Sequence, residues 1–354
     1  MDARLLQRID RYHRFFASDQ PGDLLIANRP SWVTKKNLFD YDFTAGGHLE
    51  MAADMLQSAR GLLERNGDLD DDFIPWLSAD FGIAIHHTFL MDAPVQFAEW
   101  TSWAPHPLAG PDGFAKLADV HFDPDNRWVR LLSEVDAWWA AQADDQCLCT
   151  THGHYAPLDL ANALRGDELF TDFYEYPDET HALLETCTTA IIALEEHLRG
   201  VSGTRLRDYG LPFWGALAPR GAVFVSEDAM DLCGPNISRA WGLPYTQRLR
   251  DHFGTLAIHH HMLGRPVMGV IGEETAHSVV QISNDPNCPP AMAHLRELYA
   301  AAGGNAIIVD CAPADIETYQ DDLRDVRAIL ICCNGDVDAG KRAVEIVRGI
   351  SNIV

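Results

Sequence analysis

The stretch NAIIVDCAPADIETYQDDLRDVRAILICC, residues 305–333, decides the fold. Asn305 to Asp310 and Arg327 to Cys333 are apolar at nearly every position. Between them Pro313 opens a segment that reads as a helix over 313–323. A strand with no polar face has no side for water, so it belongs in a parallel sheet covered by helices on both sides. The same alternation extends outward in both directions. Downstream a helix is expected over 338–349. Upstream, strands are expected at Gln146–Thr151, Ala222–Ser226, Thr255–Met262 and His277–Ile282, with helices at about 157–165, 178–199, 244–252 and 290–302. Before these come a helix over 2–18, a short strand at Asp23–Asn28, a helix at Gly47–Arg65, an extended segment at 95–104 and a helix after the Asp123-Pro124-Asp125-Asn126 start signal. No Pro/Gly/Ser-rich linker divides these six or so units, and no internal repeat is visible. The expected fold is α/β: a single (β/α)8 TIM barrel over residues 46–354 with an N-terminal helical extension over 1–45. A doubly wound open sheet is the alternative.

Composition narrows the function. The 354 residues are 47% hydrophobic and 22% charged, enough to bury a large core, which excludes disordered and collagen-like chains. Lys and Arg number 27 against 52 Asp and Glu, a formal charge of −25. Duplex nucleic acid and anionic membranes need a basic footprint that is missing here. The first ten residues read as an amphipathic charged helix rather than a signal peptide. No apolar run reaches the roughly 20 residues of a membrane span. The eight cysteines are scattered and form no CxxC pair, so reduced thiols and a cytoplasmic location are expected.

Chemistry is expected where strand ends carry polar residues. Thr151-His152-Gly153-His154-Tyr155, Ser226-Glu227-Asp228, His259-His260-His261, Asp310-Cys311 and Cys332-Cys333 all fall at such ends, and a barrel gathers them at one mouth. Strand alternation puts His259 and His261 on one face and His260 on the other. Two imidazoles at that spacing read either as zinc ligands awaiting a third donor or as a general acid and base. Glu227 and Asp228 read as substrate holders or as caps of the next helix. His152, His154 and Tyr155 are candidate substrate contacts, and the His86-His87 pair is a weaker one. Trp100, Trp103, Trp214 and Trp241 are read as core or as walls for a flat ligand. Gly335 to Lys341 matches GxxxxGK, but Arg342 stands where a phosphate loop needs Ser or Thr. No nucleotide is expected.

With these ends placed, the chain resembles the uroporphyrinogen decarboxylase superfamily, which includes corrinoid- and zinc-dependent methyltransferases. The resemblance rests on three stretches. The first is Pro157-Leu-Asp-Leu-Ala-Asn-Ala-Leu-Arg-Gly166 with Asp167 to Asp172 and Tyr176-Pro177. The second is Ser226-Glu227-Asp228 followed by Gly234-Pro235 and Leu243-Pro244-Tyr245. The third is His261-Met262-Leu263-Gly264 with Gln281 beyond it. Together they span about residues 70–345.

The resemblance implies a barrel whose mouth takes a small organic substrate. It implies methyl transfer first, with zinc and a corrinoid carried by a partner protein, and decarboxylation second. The decarboxylase arginine pair is missing from Arg29-Pro30-Ser31-Trp32-Val33-Thr34-Lys35-Lys36-Asn37, and the methyltransferases' His-x-Cys strand is occupied by His259-His260-His261. On this reading His259, His261 and Asp228 are catalytic. Glu227, His152, His154, Tyr155 and Trp103 bind substrate, and His259, His261, Glu227 and Cys333 ligate metal. A homo-oligomer and a barrel that has kept the fold but lost its chemistry remain alternatives.

Overall fold

The computed structural model describes residues 2–30, 36–66, 69–142, 147–202, 209–274, 278–333 and 337–353. The expected apolar runs form strands, and two short strands that composition does not predict, Trp76–Ser78 and His154–Tyr155, join them. In chain order these are β1 (Leu24–Arg29), β2 (Trp76–Ser78), β3 (Leu148–Thr150), β4 (His154–Tyr155), β5 (Val223–Ser226), β6 (Leu256–His261), β7 (Val279–Ser283), β8 (Ala306–Cys311) and β9 (Ala328–Cys333). Seven of them make one parallel sheet in the order β1-β9-β8-β7-β6-β5-β4. β2 and β3 form a separate two-stranded parallel ladder. Ile26, Val225, Ile258, Val280, Ile307 and Leu330 are all buried in this sheet. Burial of each such side chain contributes roughly 1.5–3 kcal/mol, which is why strands of this composition sit between helices.

Parallel strands joined through helices define an α/β fold, but no ladder closes the ring among the described residues. Where β1 faces the segment leading to β2, carboxylates replace strand pairing. Ile26 N–H donates to Asp72 Oδ2 at 2.8 Å and Asn28 N–H to Asp71 Oδ2 at 3.0 Å. Asp72 N–H returns a bond to Ile26 O at 2.7 Å. Arg8 and Arg11, buried on helix Ala3–Ala17, pair with Asp71 and Asp72. The first 45 residues thus supply a strand of the main sheet as well as the helix that pins this seam.

Several elements differ from their sequence expectation. β2 and a hairpin of Leu211–Phe213 with Ala216–Ala218 have strands of three residues, too short for periodicity to show. The helix expected over 313–323 breaks at Tyr319 into Pro313–Thr318 and Gln320–Leu323. The extended segment at 95–104 is a small hairpin, Gln96–Phe97 against Ser102–Trp103. The ambiguous FGIAIHHTFL stretch resolves into a single helical turn, Ile85–Thr88. No helix among the described residues is long and apolar enough to cross a membrane. The seven described cysteines are all free thiols.

Candidate active site

β6 runs apolar until its last three residues, and register with its neighbours fixes what those residues meet. His259 lies beside Ser226 of β5 and Gln281 of β7, and His261 lies beside Ser283. His260 points to the other face, fully buried, with Nε2–H donating to Gly264 O at 3.1 Å and Nδ1 against Asp231 Oδ1. A side-chain carbon at Gly264 would lie 1.9 Å from Asp231 Oδ1, so only glycine permits this approach. Asp231 Oδ2 also accepts the His261 backbone N–H at 2.8 Å, which locks the strand tip. His260 is therefore the scaffold for its two neighbours.

On the open face, His259 Nε2 and His261 Nε2 stand 3.1 Å apart, each 3.6 Å from Asp228 Oδ1. The far nitrogens are already committed. His259 Nδ1–H donates to Gln281 Oε1, whose amide is oriented by its own 3.0 Å bond to Ser283 Oγ. His261 Nδ1–H donates to Asp285 Oδ1 at 2.8 Å. Both Nε2 atoms therefore present lone pairs, and both aim at Asp228. Burial holds the His259 pKa below its ordinary value against the pull of Asp228. Two lone pairs and a carboxylate converging this closely need a cation or a shared proton between them. Zinc–nitrogen bonds of about 2.0–2.1 Å at tetrahedral angles would separate two imidazole ligands by about 3.3 Å, so the spacing fits. Imidazoles backed by a carboxylate and an amide are also the usual outer shell of such a site.

Asp228 is half-exposed, and its backbone is held from below. Asp159, from helix Pro157–Arg165, accepts the N–H groups of Asp228 and Ala229. Burial, then the nearby Asp228 and Glu227, push the Asp159 pKa well above the usual carboxylate range. Glu227 does not join the converging donors. Adjacent residues at a strand tip diverge, and its buried carboxylate accepts a hydrogen bond from Thr246 Oγ1 in helix Leu243–Phe253. Burial raises its pKa to about 8. The side chain of Cys333 lies outside the described residues.

Asp228 and His259 open onto a cavity of about 390 Å³. The lining also takes in Asp80, His86, His152 and Tyr155, from the β2 and β3–β4 ends. His152 Nδ1–H donates to Ala79 O at 2.7 Å, leaving a buried Nε2 without a partner. Burial, then His154, push its pKa down to about 4. His86 stacks on Tyr155 and lies against His152, each at 4.4 Å between ring centroids. His154 is instead packed behind this wall, its Nε2 3.0 Å from Glu195 Oε2. Trp103 is 58% exposed and lines a neighbouring cleft of about 250 Å³ that shares Ile83, Tyr155 and Asp228 with the cavity.

Of the four tryptophans weighed from sequence, Trp214 faces the cavity, edge-on to His259 at 4.7 Å. It sits in a two-residue hairpin turn with φ +46°, followed by Gly215 at +92°. This is the twist a tight hairpin demands. Trp100 is exposed, and Trp241 is stacked on His181 and Phe173. Sequence reading missed Asp80 and Asp285 entirely. Asp159 and Gln281 were visible only as parts of the quoted motifs.

No described protein family matches this sequence, and no curated protein matches it. Among solved structures, the chain is similar to a methyltransferase from Methanosarcina mazei, with a TM-score of 0.67 at 10% sequence identity. The likeness covers 97% of this chain and 98% of that one, so the two share their fold nearly end to end.

Proposed function

We propose that this protein is a metal-dependent methyltransferase acting on a small organic substrate, with His259, His261 and Asp228 as the ligands of one zinc ion. The observation that carries this reading is the pair of imidazole Nε2 atoms 3.1 Å apart, both left as acceptors by bonds to Gln281 and Asp285. Three protein ligands with a fourth position toward a cavity is the pattern of catalytic rather than structural zinc. A zinc ion bound there would lower the pKa of a thiol or hydroxyl on the acceptor.

The chain's own groups supply the rest. Asp285 and Gln281 keep both histidines in the ligating tautomer. Asp159 holds the backbone under Asp228. Trp214 and its neighbours dry the space in which the acceptor meets the methyl group. There the acceptor's proton passes to bulk water, its electron pair forms the new bond to carbon, and the donor keeps the pair of the bond that breaks. We further propose that the donor is a corrinoid carried by a partner protein, and that the two parallel ladders are arcs of one (β/α)8 barrel. The shared fold with a methyltransferase supports the reaction class. Decarboxylation gains no such support, because no Lys or Arg lines the cavity among the described residues.

Zinc titration of chelator-treated full-length protein tests the proposal, followed by assay with methylcobalamin and a panel of small thiols. The expected result is one zinc equivalent, lost in His261→Ala together with methyl transfer. Full methyl transfer with less than about 0.1 equivalent of bound metal would overturn it.

A further inference from the structure

The cavity pairs aromatic walls with negative charge, and no Lys or Arg lines it among the described residues. Trp76, Phe213, Trp214 and Phe224 line one side, and Trp214 and Phe224 meet edge to face at 5.6 Å. Asp80 opens onto the same space. One of its oxygens accepts the Gly82 N–H at 2.7 Å, and no cationic group pairs with it among the described residues. Asp80 is exposed while lining this space, so its charge is free to meet a cation that enters. His152, 3% exposed, also lines the cavity, and its unpartnered buried Nε2 is an acceptor, because its other nitrogen is bound to Ala79 O. The overall charge of −25 raises the local concentration of cations rather than anions.

From this juxtaposition of aromatic faces, Asp80 and the acceptor nitrogen of His152, we infer that the cavity selects a small alkylated ammonium ion. Aromatic faces attract such cations through their ring quadrupole, and a carboxylate completes the enclosure. A hydroxyl or N–H on the same molecule would donate to His152. The inference rests on the reading of this cavity as the substrate site and supplies the chemical class of that substrate.

Choline and its neutral isostere 3,3-dimethylbutan-1-ol are the probes, measured by calorimetry on the full chain, both chelated and zinc-loaded. Choline is expected to bind at least about tenfold more tightly than the isostere. Asp80→Asn should erase that preference while leaving the isostere unchanged, and Trp214→Leu should weaken choline more than the isostere. If either variant fails to fold, the isostere comparison on the unaltered protein decides alone. Equal binding of the two probes, or no choline binding at millimolar concentrations, would overturn the inference. Choline selectivity without methyl transfer would leave the cation site standing and sink the methyltransferase reading instead.

Discussion

The cavity has two histidine-bearing walls, and they are built on opposite principles. On the β6 wall, His259 and His261 are each backed by a side-chain acceptor, Gln281 or Asp285, and their free nitrogens converge on Asp228. On the second wall, His86 and His152 lie ring against ring, and His152 is backed only by a backbone carbonyl. The first arrangement concentrates lone pairs and negative charge at one point. The second disperses them over aromatic faces, and burial drives the pKa values down: well below normal for His86 and to about 4 for His152. Histidine content is therefore a poor guide to metal binding. What separates the walls is the direction of the lone pairs and the identity of the group behind each ring.

The sharpest way to break this contrast is to remove a ligand from one wall and a ring from the other. His259→Ala should abolish stoichiometric zinc binding, and His86→Ala should leave it intact, as measured by equilibrium dialysis with metal analysis. Retained zinc in the first variant would erase the distinction. A smaller effect is expected one shell out. Asp285→Asn keeps the shape but removes the charge behind His261, and should weaken zinc about 10- to 100-fold without altering the fold, read by chelator competition.

The His86–His152 wall has its own signature in acid. His152 is held neutral, as is His87, whose pKa burial also pushes down to about 4. The unfolded chain takes up protons near the ordinary histidine value of 6.5, whereas the folded chain resists until about pH 4. Stability is thus fully present above pH 6.5 and lost as the pH falls, by up to about 1.4 kcal/mol per pH unit for each such histidine. Denaturant midpoints between pH 7 and 5 should show this slope. His152→Asn should flatten it in part, and an unchanged slope would mean that His152 is already charged. The smallest effect is expected at Trp103, on the neighbouring cleft, where Trp103→Ala should change zinc affinity and cavity binding by less than about twofold and shift stability by under about 0.5 kcal/mol.

Legibility followed the range of the physics involved. The β8–β9 run could be read because complete burial of a strand is written in consecutive residues. The split of His260 from His259 and His261 could be read because pleat alternation is local. Asp285 and Asp80 could not be read, since each sits in a turn with no periodic pattern, and each gains meaning only from a ring or cavity brought to it by another strand. Glu227 was assigned with Asp228 because the two are adjacent. The structure places its carboxylate against Thr246 instead, a divergence that adjacency conceals. The seam between β1 and β2 was equally hidden, because side-chain carboxylates there do what backbone pairing does elsewhere.

The chain's own residue order settled the alternation of apolar strands and helices, the lack of a basic footprint and the two faces of the histidine triplet, since burial, charge and pleat act between near neighbours. Tertiary packing alone brought Asp228 rather than Glu227 to the two histidine nitrogens. It also committed Gln281 and Asp285 to the outer nitrogens and faced Asp80 with aromatic rings. Those outcomes depend on where separate strands end relative to one another, a distance no local pattern encodes.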